Sequence, residues 1–176
     1  MELSSESCII SVQIEISYGT NVKYEIEHGQ LRCDRFLHGP FLFPFNYGSI
    51  PQTLAGDGDP LDAIVLTRRS LLPTCHVRCK IIGALVMEDE KGQDEKILLV
   101  PHESIDPYST HIHQLSDLDP YTLKEIDYFF RHYKDMEHGK FSNVKHFVDA
   151  DTAMQIYELA KIDDKPFLVE EEKISI

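Results

Sequence analysis

Apolar side chains at Ile10, Val12, Ile14 and Ile16 alternate with polar ones, the period of two that predicts a half-buried strand. Val22 to Glu27 alternates in the same way. Glu27-His28-Gly29-Gln30 then turns the chain into Leu31 to Phe36, so the two runs read as a hairpin. Ala63 to Thr67 reads as a short apolar strand. His76 to Met87 is a long β-rich run, and Gly83 inside it predicts a bulge or sharp bend. Glu88 to Glu95 reads as an acidic turn around Gly92, and Lys96 to Val100 as a further strand stopped by Pro101.

The period then changes. Asp119 offers a cap and Pro120 a first helical residue. Leu123, Ile126, Phe130 and Tyr133 recur at helical spacing, with Gly139 as the stop. Asp149 or Asp151 caps a second helix to about Lys161, and Glu170-Glu171-Glu172-Lys173 reads as a frayed end. Strands followed by helices predict an α+β fold with an antiparallel sheet or barrel. There is no repeat and no linker long enough to divide the chain, so residues 1–176 are expected to form one domain.

Hydrophobic residues make up 42% of the chain, enough for a packed core. The net charge of −13 argues against nucleic acid, whose binding needs basic patches, and against an anionic membrane surface. A small anion remains possible if metals and a few local cations reverse the field in one pocket. No apolar run has the length of a membrane span, and the first six residues lack the basic-then-apolar order of a secretory signal. Cys8, Cys33, Cys75 and Cys79 fit neither a disulfide framework nor a zinc pattern, so reduced, mostly buried thiols in a cytoplasmic protein are expected. His111-x-His113 has no partner cluster nearby and reads as a polar loop.

The most chemically loaded stretch is Asp57-Gly58-Asp59-Pro60-Leu61-Asp62. Its three carboxylates repel one another at neutral pH, and a hard divalent cation such as Mg²⁺ or Ca²⁺ relieves such crowding. An EF-hand counted from Asp57 would need Gly at position 62 and Glu at position 68, where Asp62 and Arg68 stand, so that reading fails. Taken alone, metal site and surface turn are about equally supported. Asp89 and Asp94 flank Gly92 and pose the same choice. Lys23 and Glu25 share one strand face; Arg35, Lys96 and Tyr133-Lys134 are scattered further along.

Taken together, these blocks resemble the soluble inorganic pyrophosphatases built on a small five-stranded barrel. The matching segments are Glu15-Ile16, Lys23-Tyr24-Glu25, Asp34-Arg35, Pro44-Phe45-Asn46-Tyr47-Gly48, the Asp57–Asp62 hexapeptide, Asp89-Glu90 with Asp94-Glu95-Lys96, and Phe129-Phe130-x-His132-Tyr133-Lys134. They occur in the family's order and cover roughly three-quarters of the chain. The resemblance implies an OB-like antiparallel barrel with additional strands and two C-terminal helices. It implies hydrolysis of pyrophosphate, bound as its magnesium complex, to two orthophosphates by a water that several Mg²⁺ ions activate, other divalent cations being possible. Asp57, Asp62 and Asp94 then correspond to ligands of the tighter metal, with Asp62 shared between two. Asp89 and Asp94 correspond to ligands of a further metal, and Glu15 and Glu25 to outer or additional metal contacts. Asp59 corresponds to the residue that orients the attacking water and is the candidate to deprotonate it. Lys23, Arg35, Tyr47, Lys96, Tyr133 and Lys134 correspond to the phosphate-binding set. Charge repulsion makes a polyanion resist nucleophiles, so cations that neutralise it and acidify a water are the chemistry required.

Two positions depart from the family pattern. Phe43 stands where many relatives carry Tyr, and Ser17 where they often carry Pro. Tyr128 and His132 fall in a region resembling the subunit contact of bacterial relatives, which implies a homo-oligomer, with a hexamer favoured. The competing class is a non-catalytic binding module on a barrel scaffold, but an oligonucleotide binder should carry a basic, aromatic-lined groove that this acidic chain lacks.

Overall fold

The computed structural model describes residues 8–162, so the first residues and the acidic tail read above lie outside the described residues. The elements in order are β1 (Ile10–Ile16), β2 (Val22–Glu27), β3 (Gln30–Phe36), β4 (Asn46–Ser49), β5 (Asp62–Val65), β6 (His76–Asp89), β7 (Gly92–Gln93), β8 (Lys96–Pro101), α1 (Pro120–His132), β9 (Ser142–Val148) and α2 (Ala150–Ala160). β1 pairs with β4, β4 with β5, β5 with β8, β8 with β6, and β6 returns to β1, closing a ring of five strands. β2 and β3 form a separate two-stranded sheet.

The ring matches the expected barrel with one difference. β5 and β8 run parallel, Asp62 opposite Lys96, while the other ring pairings are antiparallel. A tight turn can only join antiparallel neighbours; here the whole β6–β7 excursion lies between the two strands and lets them start from the same end. The consequence is chemical, because the first residue of each strand is a charged one.

β6 makes this possible by serving three partners besides β7, the short strand that folds back on its end. Its start pairs β1, its middle pairs β8 and its end pairs β9. The register against β8 shifts between Ile81 and Gly83, the bend expected at that glycine. Several local readings are corrected. The acidic segment from Glu88 is not a plain turn: β6 runs on to Asp89 and folds back as β7. α1 ends at His132 with Tyr133 as its cap, and Gly139 (φ +74) turns the chain only later. β4 and β9 were not read as strands, and β9 stands between the helices. Asp149, not Asp151, caps α2, accepting from the Thr152 amide at 2.8 Å. All four cysteines are free, but Cys8 and Cys33 are exposed, because Cys33 lies on the hairpin and not in the ring.

Alternation, together with the register shift in β1 between Ile14 and Ile16, sorts the ring's side chains into two buried clusters. One gathers Ile10, Val12, Ile14, Ala63, Val65, Ile97 and Leu99 with Ala153 of α2. The other holds Ile16, Tyr47, Ile64, Leu98 and Val100 against Ile126, Phe129, Phe130 and Tyr133 from α1 and its cap. Phe130 stacks on Phe45 with centroids 5.5 Å apart, and Phe129 on Tyr133 at 5.0 Å. Each fully buried aromatic contributes about 1.5–3 kcal/mol, so α1 is pinned firmly enough to position Tyr133 and Lys134 beyond its end.

Asn46 shows why the Pro44–Gly48 block needs an amide. It is fully buried; its Oδ1 accepts from the Tyr18 and Leu71 amides at 3.0 and 2.8 Å. Its Nδ2 donates to Thr67 Oγ1 and the Arg69 carbonyl, each at 2.9 Å. Ser17, the departure from Pro, donates to the Leu71 carbonyl at 2.6 Å and ties the same loop. That loop ends in Pro73-Thr74, where the β-branched Thr74 has φ +73. Such a residue is strained in the left-handed region, where Gly is not. Thr74→Gly should therefore raise stability by about 1 kcal/mol, read as a higher midpoint in urea with an unchanged slope.

Candidate active site

The ends of β1, β5, β6 and β8, the β2–β3 hairpin and the segment after α1 surround one cleft of about 570 Å³. Asp57, Asp59, Asp62, Asp89, Asp94, Glu15 and Glu25 all line it, and so do Lys23, Arg35, Tyr47, Lys96, Tyr133 and Lys134. Residues spread over 120 positions of sequence thus meet in one place, each for a local reason.

The parallel start of β5 and β8 sets Asp62 beside Lys96. The Lys96 ammonium lies 2.6 Å from Asp62 Oδ2 and 2.6 Å from Asp94 Oδ1. Lys134 reaches Asp89 at 2.9 Å and Glu90 at 3.2 Å, which ties the helix end to the β6–β7 tip. Lys23 pairs with Glu25, as their shared strand face requires, and with Asp34 at 3.1 Å. Asp57 and Asp59 sit on an exposed turn: the Asp59 amide donates to Asp57 Oδ1 at 3.1 Å, and Gly58 takes φ +92. Glu15 accepts from Ser49 Oγ at 3.2 Å.

The electrostatics follow from burial and crowding. Burial, and next the charge of Asp62, push the Glu15 carboxyl up to about 7. Burial pushes Asp94 up to about 6, with Asp62 and Asp89 adding to it and Lys96 opposing. Burial opposes the charge on Lys96, yet Asp62 and the other anionic groups around it raise its pKa well above the usual lysine value. Tyr47 and Tyr133 have raised phenol pKa values, chiefly through burial, so both remain protonated donors near neutral pH.

Whether this donor set suits Mg²⁺ is decided by its chemistry. Every candidate ligand is a carboxylate oxygen, the type a hard cation takes. Glu15 and Asp94 resist ionisation chiefly because they are buried, with the nearby Asp62 charge adding to it, and a divalent cation beside them would favour their charged forms. Among the described residues no three His, Cys, Asp or Glu side chains are pre-arranged as a metal cage. The ammonium groups of Lys96 and Lys134 hold those oxygens, so a metal would compete with them. The donor types fit the metal.

Some cleft residues were not singled out from the sequence. Asp34, though part of a matched block, received no role, and it bonds both Lys23 and Arg35. Glu90 was likewise inside a block. Lys91, 3.9 Å from Asp59, and Lys140 carried no signal beyond their charge. Phe43 is away from the cleft lining: it is a core aromatic with its ring 6.1 Å from that of Tyr47 and 5.0 Å from that of Phe129. The Tyr128 and His132 rings lie 4.4 Å apart, tilted at 44°, on an outer flank of α1, where Tyr128 is 60% exposed.

The family model described as inorganic pyrophosphatase matches residues 12–163. An inorganic pyrophosphatase of Nanoarchaeum equitans is 46% identical over 148 residues, 84% of this chain and 92% of that protein. A solved inorganic pyrophosphatase from Helicobacter pylori superposes with a TM-score of 0.86 at 40% identity, covering 91% of this chain and 95% of that one. A truncated Trypanosoma cruzi vacuolar soluble pyrophosphatase, solved in complex with PPi, gives a TM-score of 0.80 at 26% identity over 91% of this chain and 70% of that one. With the five-strand ring shared and the match running over most of its length, the chain belongs to the inorganic pyrophosphatase family.

Proposed function

We propose that this protein, as a single domain over residues 1–176, hydrolyses inorganic pyrophosphate, taken as its magnesium complex, to two orthophosphates. The observation that carries the reading is the convergence of six candidate carboxylate ligands, a seventh exposed carboxylate and six phosphate-binding candidates on one cleft of family-matched residues. Asp57, Asp62, Asp89 and Asp94 would hold Mg²⁺, with Glu15 and Glu25 as additional contacts. When bound, Mg²⁺ supplies positive charge to the substrate oxygens and acidity to a water.

The chain's own residues do the rest. Lys23, Arg35, Lys96 and Lys134 bind phosphoryl oxygens and neutralise charge that develops as the bridging bond breaks. Tyr47 and Tyr133 donate hydrogen bonds without adding negative charge, since burial keeps their phenols protonated. Asp59, 67% exposed at the turn tip, orients the attacking water and accepts its proton at a carboxylate oxygen. Assembly as a homo-oligomer, a hexamer favoured, would use the outer flank at Tyr128, and the reduced cysteines suit the cytoplasm. Among the described residues no helix is long and apolar enough to cross a membrane.

The metal side of the reading has a pH signature. Glu15 and Asp94 hold protons up to about 7 and about 6, against ordinary values of 4.5 and 3.8. Folded-state pKa values above the unfolded ones contribute stability that is fully present below the unfolded values and lost as pH rises through the folded ones. The metal-free protein should therefore melt at progressively lower temperature between about pH 5 and pH 8, with Mg²⁺ restoring more at pH 8 than at pH 5. Calorimetric Mg²⁺ affinity should rise over the same window with proton release, and Asp62→Asn should weaken it. A pH-independent affinity with no protons released would contradict the assignment of the carboxylates. Phosphate release from pyrophosphate tests the reaction itself.

A further inference from the structure

We infer that Glu137, which has no place in the assignments above, is a positioning residue for substrate binding. Its buried carboxylate holds the Arg35 guanidinium in the cleft and ties the β2–β3 hairpin to the segment after α1. The inference rests on the pyrophosphate reading and adds to it a residue that does not touch substrate.

The geometry is specific. The Glu137 side chain is 3% exposed; its Oε1 accepts from Arg35 Nε at 3.1 Å, and its Oε2 lies 3.0 Å from the same nitrogen as an ion pair. Lys140 Nζ reaches the same carboxylate at 3.2 Å. Arg35 and Lys140 line the cleft, but Glu137 does not. A carboxylate this buried loses hydration, which opposes its charge. The hydrogen bonds from Arg35 and Lys140 outweigh that loss and hold its pKa below the ordinary glutamate value. Arg35 is thus gripped at Nε by Glu137 and at Nη1 by Asp34. Its Nη2 makes no hydrogen bond among the described residues. Two of the three guanidinium nitrogens are fixed, and the donors of Nη2 are left for a phosphoryl oxygen.

The hairpin needs such a tie. β2 and β3 form a two-stranded sheet apart from the ring, and two strands alone are marginal. Glu137 lies 102 residues from Arg35 in sequence, just beyond the helix that the aromatic cluster pins. Fixing the guanidinium before substrate arrives removes ordering that binding would otherwise have to supply.

Glu137→Gln keeps the shape and removes the charge. With Arg35 loosened, KM for magnesium pyrophosphate should rise about tenfold while kcat stays within about threefold. The affinity for imidodiphosphate, a non-hydrolysable analogue, should fall by a similar factor in calorimetry. If Glu137 acts through Arg35, adding Glu137→Gln to Arg35→Met should change KM by less than about twofold. A merely structural role would add its effect in both backgrounds. Glu137→Asp keeps the charge at shorter reach and should fall between, at about threefold. It carries the test if the Gln variant does not fold, and unmutated affinity in it would then overturn the inference. A folded Glu137→Gln protein with KM within about twofold of the unmutated protein, or an additive effect on Arg35→Met, also overturns it. No phosphate release by the unmutated protein would sink the hydrolysis reading instead, and the analogue-binding arm still reads Glu137.

Discussion

Asp59→Asn is expected to give a folded, Mg²⁺-binding protein that releases phosphate from pyrophosphate about a hundredfold or more slowly. The fold should survive because little depends on this side chain. It is 67% exposed, and its one described charged neighbour is Lys91 at 3.9 Å. The bonds that shape the turn use the Asp59 backbone, its amide to Asp57 Oδ1 and its carbonyl from the Ala55 amide at 2.7 Å. Surface substitutions of this kind usually stay within about 0.5 kcal/mol. Turnover should fall because an amide cannot take the proton that the carboxylate accepts. Steady-state phosphate release alongside thermal melting separates the two effects. Near-normal turnover would remove Asp59 from the reaction.

Gly48→Ala is expected to be the most damaging single change to the fold, at about 3 kcal/mol or more. Gly48 of β4 faces Ile14 of β1 across an antiparallel pair. A Cβ there would collide with the Gln13 carbonyl oxygen and lie 2.9 Å from both Gln13 C and Ile14 Cα. These are backbone atoms, so no rotamer change relieves the clash and the ring itself must open. β4 carries Tyr47 and Asn46, and β1 carries Glu15, so the cleft should deform together with the ring. Urea unfolding would show the loss. A Gly48→Ala protein with an unmutated midpoint would mean that the β1–β4 spacing is wider than described.

Much of this was legible in the sequence where local rules operate. The alternation from Ile10 to Ile16 marks β1, the Asp119-Pro120 pair starts α1, and Gly83 marks the bend in β6. The cleft residues were readable because the Asp57–Asp62 block and the Tyr133-Lys134 pair belong to a family pattern in order. What was not legible depends on three-dimensional closure. Nothing local distinguishes a parallel β5–β8 pair from an antiparallel one, yet that pairing puts Asp62 against Lys96. β9 escaped because only its third residue, Val144, is buried, so the chain there shows little alternation. Gly139 looked like a helix stop, but Tyr133 already caps α1, its amide bonded to the Phe129 carbonyl, and the chain turns on before Gly139. Glu137 looked like one acid among many; only its burial between Arg35 and Lys140 sets it apart.

The most direct test of the central claim is phosphate release from pyrophosphate, with Mg²⁺ titrated from zero and ATP run in parallel. Release from pyrophosphate should be rapid, should rise from nothing with Mg²⁺, and should far exceed release from ATP. A folded protein that binds Mg²⁺ yet releases no phosphate from pyrophosphate would contradict the claim.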